Sequence, residues 1–145
     1  MKQKFLMSCA VIALVLVSME TRAADPTPGV GQNGAPTLSG CIYDQQTHQP
    51  VKFPPQITTG WIETNEIWNI WCAPPGGLPS PNWREMTYFL DMPVGSVMQV
   101  CWNGWTWPIG WTPVEYRYDT SKCGYHPGGI PPEGNPTVIV LRRDS

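Results

Sequence analysis

The sequence predicts a small all-β domain, an antiparallel sandwich or partly open barrel held by two disulfides. Three observations carry that expectation. The 145 residues include 17 prolines and 14 glycines, a density that forbids long helices because an interior proline removes a backbone hydrogen bond and collides with the preceding turn. Between these breakers lie short segments rich in aromatic and β-branched residues, and the clearest of them alternates with period two. No βαβ rhythm runs through them, so a parallel sheet is disfavoured. The alternative is an irregular, disulfide-stapled α+β domain with one short helix.

Residues 1–23 read as a secretory signal peptide. Lys2 and Lys4 give a positive start, Phe5 to Met7 and, after Ser8, Cys9 to Val17 form an apolar run too short to stay as a membrane anchor, and small residues follow at Ala23 and Ala24. Cleavage after Ala23 places Thr21 and Ala23 at the two small-residue positions. A lipoprotein reading of Cys9 fails because most of the apolar run follows that cysteine. Cleavage leaves 122 of the 145 residues. Lys2, Lys4, Arg22 and Glu20 leave with the leader, so nine basic and eleven acidic side chains become six and ten, a formal charge of −4. That mildly acidic chain has no electrostatic footprint for nucleic acid and no polybasic patch for a membrane surface.

Residues 24–40, which include "DPTPGVGQNGAP", read as a flexible or extended Pro/Gly-rich lead-in. A single disulfide-bonded β domain is expected over 41–145. "GWIETNEIWNIWC" is strand-like, with room for one helical turn around Ile70 and Trp71. "WREMTYFLDM" puts Arg84, Met86, Tyr88 and Leu90 on one face of a strand. "SVMQVCW" is an apolar run before the tryptophan cluster. "VEYRYD" sets Val114, Tyr116 and Tyr118 against Glu115, Arg117 and Asp119. "TVIVL", Thr137 to Leu141, suits a buried strand, and "APPGGLPSPN" and "GYHPGGIPPEGNP" are turn-rich connections.

With Cys9 in the leader, four cysteines remain: Cys41, Cys72, Cys101 and Cys123. An even number in an exported chain reads as two disulfides. Zinc is a poor rival, since no pair has C-x-x-C spacing and His48 and His126 are the only imidazoles. The two halves echo each other. Each runs from a cysteine to a Gly-Trp (Gly60-Trp61, Gly110-Trp111) and then to a second cysteine, which favours Cys41–Cys72 and Cys101–Cys123.

Catalytic chemistry is hard to assemble. No serine sits in a Gly-x-Ser-x-Gly elbow, and both histidines lie in turn-like contexts. A small hydrolase would need one of them beside a carboxylate in one cleft. Glu63 with Glu66, and Glu115 with Asp119, are spaced so that strands would not bring either pair together, and they read as solvated charge. No cofactor is implied, because no phosphate, dinucleotide or calcium loop is present.

The surplus is aromatic, with eight tryptophans. A rigid tryptophan face stacks on sugar rings or anchors a protein interface. Trp61 and Trp111, in the repeated Gly-Trp, read as core posts near the disulfides. Trp105 and Trp107 alternate with Thr106 and, if extended, point the same way. With Trp102 they are the candidate ligand-binding residues.

The stretch "VGSVMQVCWNGWTWPIGWTPVEYRYDTSKCGYHPGG…NPTVIVLRR" resembles a loose group of small exported bacterial proteins of uncharacterised activity. These run G-x-V-x-x-V-C, P-x-G-W, a strand, C-G, and a final apolar strand ending in Arg. The resemblance covers Pro93 to Arg143. It implies export and a Cys101–Cys123 disulfide, and it implies no activity. The sequence therefore points to a secreted or periplasmic, non-enzymatic binding protein. The expected partner is carbohydrate held on exposed tryptophans, or alternatively an envelope or extracellular protein.

Overall fold

The computed structural model describes residues 25–73, 81–102, 104, 106–124 and 135–145. Among the described residues seven strands run in chain order: β1 (Thr27–Val30), β2 (Pro36–Cys41), β3 (Trp61–Ile67), β4 (Trp83–Tyr88), β5 (Val97–Cys101), β6 (Trp111–Arg117) and β7 (Val138–Arg143). They form two antiparallel sheets, one ordered β1-β2-β4-β3 and the other β5-β7-β6, and the sheets do not close into a barrel. Short 3-10 turns at Gln32–Gly34 and Ile70–Cys72 are the helical elements among the described residues. None of these is long and apolar enough to cross a membrane. The disulfides are Cys41–Cys72 and Cys101–Cys123, the pairing that the internal echo favours.

That echo extends to the whole backbone. Leaving β1 aside, each sheet is a three-stranded unit whose third strand lies between the first and second. Residue for residue the registers match. Trp61 faces Tyr88 as Trp111 faces Arg143, and Glu66 faces Arg84 as Tyr116 faces Ile139. Cys41 faces Trp83 as Cys101 faces Val138. Each second strand carries a one-residue bulge at the same place, Thr64 in β3 and Val114 in β6. The glycine of each Gly-Trp takes a left-handed backbone, with φ of 81° at Gly60 and 83° at Gly110. Its carbonyl accepts the amide just beyond the third strand, Phe89 at 2.9 Å and Asp144 at 2.8 Å. A side chain would be strained at either position, and its Cβ would lie 2.7 Å from Leu90 or 2.8 Å from the Ser145 carbonyl oxygen.

The matching continues into the turn before each second cysteine. Asn69 donates its amide to the Asn82 carboxamide oxygen at 2.7 Å, and Asp119 donates its amide to the Thr137 hydroxyl at 2.8 Å. The Asn69 side chain accepts the Trp71 amide, and the Asp119 side chain accepts the Ser121 amide. These are local side-chain turns that end a strand and aim the cysteine at its partner.

The units do not use their faces alike. The main core gathers Met98, Val100, Trp111, Ile139 and Leu141 from one face of the second unit. Ile62 from the first unit meets them, with Ala35, Phe89 and Met92 from its connections. The first unit's contribution is otherwise polar, with Thr64 bonded to Thr87 at 2.9 Å and to Glu85 at 3.2 Å. Its opposite face, carrying Trp61, Glu63, Arg84 and Met86, is roofed by the 42–60 connection, where Phe53 lies over the Arg84 guanidinium at 5.8 Å. Of the two expected core posts, Trp111 is buried. Trp61 is half-buried and packs edge-on against Tyr88 at 5.3 Å.

The 24–40 stretch differs from its expectation. It supplies β1 and most of β2, so the domain extends well before residue 41. All four β1 residues are exposed, so no apolar alternation marks that strand, and Pro28 is tolerated because β1 is an edge. Between β1 and β2, Gln32 holds the free edge of β5. Its carboxamide donates to the Gln99 carbonyl at 2.9 Å and accepts the Gln99 amide at 2.8 Å. Asn33 donates to the Val97 carbonyl at 2.8 Å. The edge of β3 is covered by the second unit: the Glu66 amide donates to the Lys122 carbonyl, and the Gly124 amide to the Glu66 carbonyl. The outer edge of β6 is interrupted by Pro113 and the Val114 bulge, two common guards against strand addition.

Candidate functional site

Trp102 follows β5 and takes the place in the second unit that Ile42 takes in the first. Its amide donates to the Thr137 carbonyl as that of Ile42 donates to Asn82. It is half-buried, packs on the main core and meets Tyr116 edge-to-face at 6.4 Å. Trp107 is exposed on the connection into β6, ahead of the buried Pro108. Trp105 lies outside the described residues. The structure therefore separates Trp102, a ring with its back to the core, from Trp107, a ring at the surface.

The sequence pattern "VEYRYD" identifies the residues that complete this region. Tyr116 shares the face of Ile139, its cross-strand partner, and Tyr118 continues the alternation two residues on, about 7 Å along the strand. Yet Ile139 is buried while Tyr116 is 51% and Tyr118 42% exposed. The core ends between β7 and the far half of β6, and that half presents Val114 and Tyr116 to solvent, with Tyr118 exposed just past its end. On the other face, Glu115 and Arg117 form a two-point ion pair at 2.5 and 2.6 Å. The Arg117 guanidinium holds the Glu115 carboxyl below the usual range. The result is an apolar aromatic row with hydroxyl tips, backed by Trp102.

Two expectations about charge come out differently. Glu115 and Asp119 are local surface groups, as their spacing suggests. Glu63 and Glu66 are not solvated. Both are buried and both meet Arg84, Glu63 at 2.9 Å and Glu66 at 3.2 Å, with Gln56 also donating to Glu63 at 3.1 Å. Residues three apart on a regular strand point to opposite faces. The bulge at Thr64 adds one residue and turns both carboxylates to the same side. Sealed under the 42–60 connection, this cluster is an ion-pair network of the fold. His48 is exposed on a turn with φ of 56°, and His126 lies outside the described residues. Among the described residues no three His, Cys, Asp or Glu side chains group as metal ligands.

The class so defined is an all-β domain of two matched, disulfide-bonded, three-stranded units with an aromatic row on one edge strand. No family model, no curated protein and no solved structure matches the chain.

Proposed function

We propose that the protein is an exported, non-enzymatic binding domain whose aromatic row on β6 takes an extended carbohydrate. The observation that carries the reading is the exposure of Tyr116 on edge strand β6 and of Tyr118 just past its end, with Trp102 supporting the first ring. Stacked rings accept the apolar C–H faces of sugars, and their hydroxyls reach sugar oxygens. The guarded edge of β6 favours recognition by side-chain faces over addition of a partner's strand. Two disulfides fit an oxidising compartment outside the cytoplasm, in keeping with the leader read in residues 1–23.

Affinity electrophoresis against diverse soluble polysaccharides tests the reading. At least one polymer is expected to retard the protein, and Tyr116→Ala with Tyr118→Ala to weaken retention about tenfold. Unchanged mobility in every polymer rejects it. A protein partner is the second reading, favoured by Trp68, Ile70 and Trp71, exposed together on a turn fixed by Cys41–Cys72, with Trp71 80% exposed. Co-purification of a stoichiometric protein that Trp71→Ala releases would select it.

A further inference from the structure

The repeat separates scaffold from addition. In the second unit, residues 102–110 suffice to connect the first strand to the second. In the first unit the same connection spans 42–60 and contains a hairpin that the repeat does not need. Residues 53–60 of that connection roof the Arg84 cluster. The hairpin before them adds little to any core, since Tyr43 and residues 45–50 are all exposed.

The hairpin is nonetheless tightly built. The Asp44 amide donates to the Gln49 carbonyl at 2.9 Å, and the Val51 amide to the Ile42 carbonyl at 2.8 Å. The Asp44 carboxylate is buried and accepts the Gln46 and Thr47 amides and the Thr47 hydroxyl at 3.1, 2.7 and 2.8 Å. The disulfide at Cys41 ties its base to the turn at Cys72. Between the hairpin and the start of β1 lies an open cleft of about 390 Å³, lined by Asp25, Tyr43, Asp44, Gln45, Gln46 and Val51 among others.

We propose that this cleft is a binding site for a single neutral pyranose ring. Its volume falls in the range of small-molecule sites, roughly 300 to 1,000 Å³. Its chemistry matches a hydroxyl-rich ring. Tyr43 offers an aromatic face, Gln45 and Gln46 each offer donors and an acceptor, and Asp25 offers carboxylate acceptors. Among the described residues no lysine, arginine or histidine lines it, which disfavours an anionic ligand. The three local donors on Asp44 offset its charge and weaken the case for a cation. The site belongs to the first unit and takes one ring, whereas the β6 row belongs to the second and takes a chain, so the two readings stand or fall separately.

Amide chemical shifts of the disulfide-bonded protein, titrated with methyl glycosides of glucose, galactose, mannose and N-acetylglucosamine, test the proposal. At least one glycoside is expected to give saturable shifts at Gly40, Tyr43, Gln45 and Gln46, with Kd on the order of 1 mM. Tyr43→Ala raises that Kd about tenfold, and Tyr43→Phe, which keeps the ring, leaves it within about threefold. Absence of saturable shifts with all four glycosides overturns the proposal. So does an unchanged Kd in Tyr43→Ala. Tyr116→Ala with Tyr118→Ala leaves the cleft's Kd unchanged, which distinguishes failure here from failure of the β6 reading.

Discussion

The two three-stranded units share a backbone and disagree about almost every side chain. Where the first has Glu63, Glu66 and Arg84, the second has Pro113, Tyr116 and Ile139, in identical register. In the first unit that face holds a buried ion network under a private roof. In the second it forms much of the common core and then runs out into solvent as the aromatic row. What the units keep in common is what sets backbone geometry: a left-handed glycine, a bulge three residues after the tryptophan, a side-chain-capped turn and a disulfide. The comparison teaches that this topology is specified by a few backbone devices, and that face chemistry is free to diverge once those are in place.

The largest expected effect attacks the divergence. Arg84→Leu strands two buried carboxylates and should cost about 3 to 5 kcal/mol in urea unfolding. The matched change in the second unit, Ile139→Val, removes one methylene and should cost about 0.5 to 1.5 kcal/mol. Similar costs at both positions would show that the Arg84 cluster is not a desolvated network. The next effect probes what is shared. Replacing Cys41 and Cys72, or Cys101 and Cys123, by serine releases loops of similar span, with sequence separations of 31 and 22. Each should cost about 3 to 4 kcal/mol through the unfolded chain. A large inequality would mean that one bond is strained or that one unit retains structure when unfolded.

The smallest effect is a difference in pH response at the matched turns. The Ser121 hydroxyl, with the Ser121 amide, holds the Asp119 carboxyl below its ordinary range. A depressed folded value means that the stabilisation is complete above the ordinary carboxylate pKa, near 3.9, and is lost as pH falls through the folded value. Asn69, at the same place in the first unit, does not titrate. Hydrogen-exchange protection at Ser121 and Cys123 should therefore fall below about pH 4 while protection at Trp71 and Cys72 holds. Asp119→Asn should erase the contrast, and a parallel loss at both turns would contradict it.

The sequence displayed the shared devices and concealed their consequences. Two Gly-Trp pairs and four cysteines were enough for the disulfide pairing, because glycine, tryptophan and cysteine are rare and positionally demanding. The period-two pattern of "VEYRYD" located β6, but alternation says nothing about where a core stops, so Tyr116 and Tyr118 passed as ordinary strand residues. Glu63 and Glu66 were misjudged because a bulge leaves no signature in composition. β1 was missed for a related reason: a fully exposed edge strand buries nothing, so its sequence reads as linker. The cleft was invisible because it joins Asp25 to a hairpin well along the chain.

Gln32 bears on the order of events during folding. Each disulfide closes a short stretch of chain and can form as soon as its own unit exists. The carboxamide of Gln32 must wait for Gln99, with a sequence separation of 67, and closing the longer loop is slower. The Gln32 contact to β5 is thus among the later ones to close. Until it does, β5 presents an unpaired edge, although β1 can already pair with β2 across the short turn between them. An open strand edge invites pairing with another copy of the chain, and Gln32 is the latch that closes it.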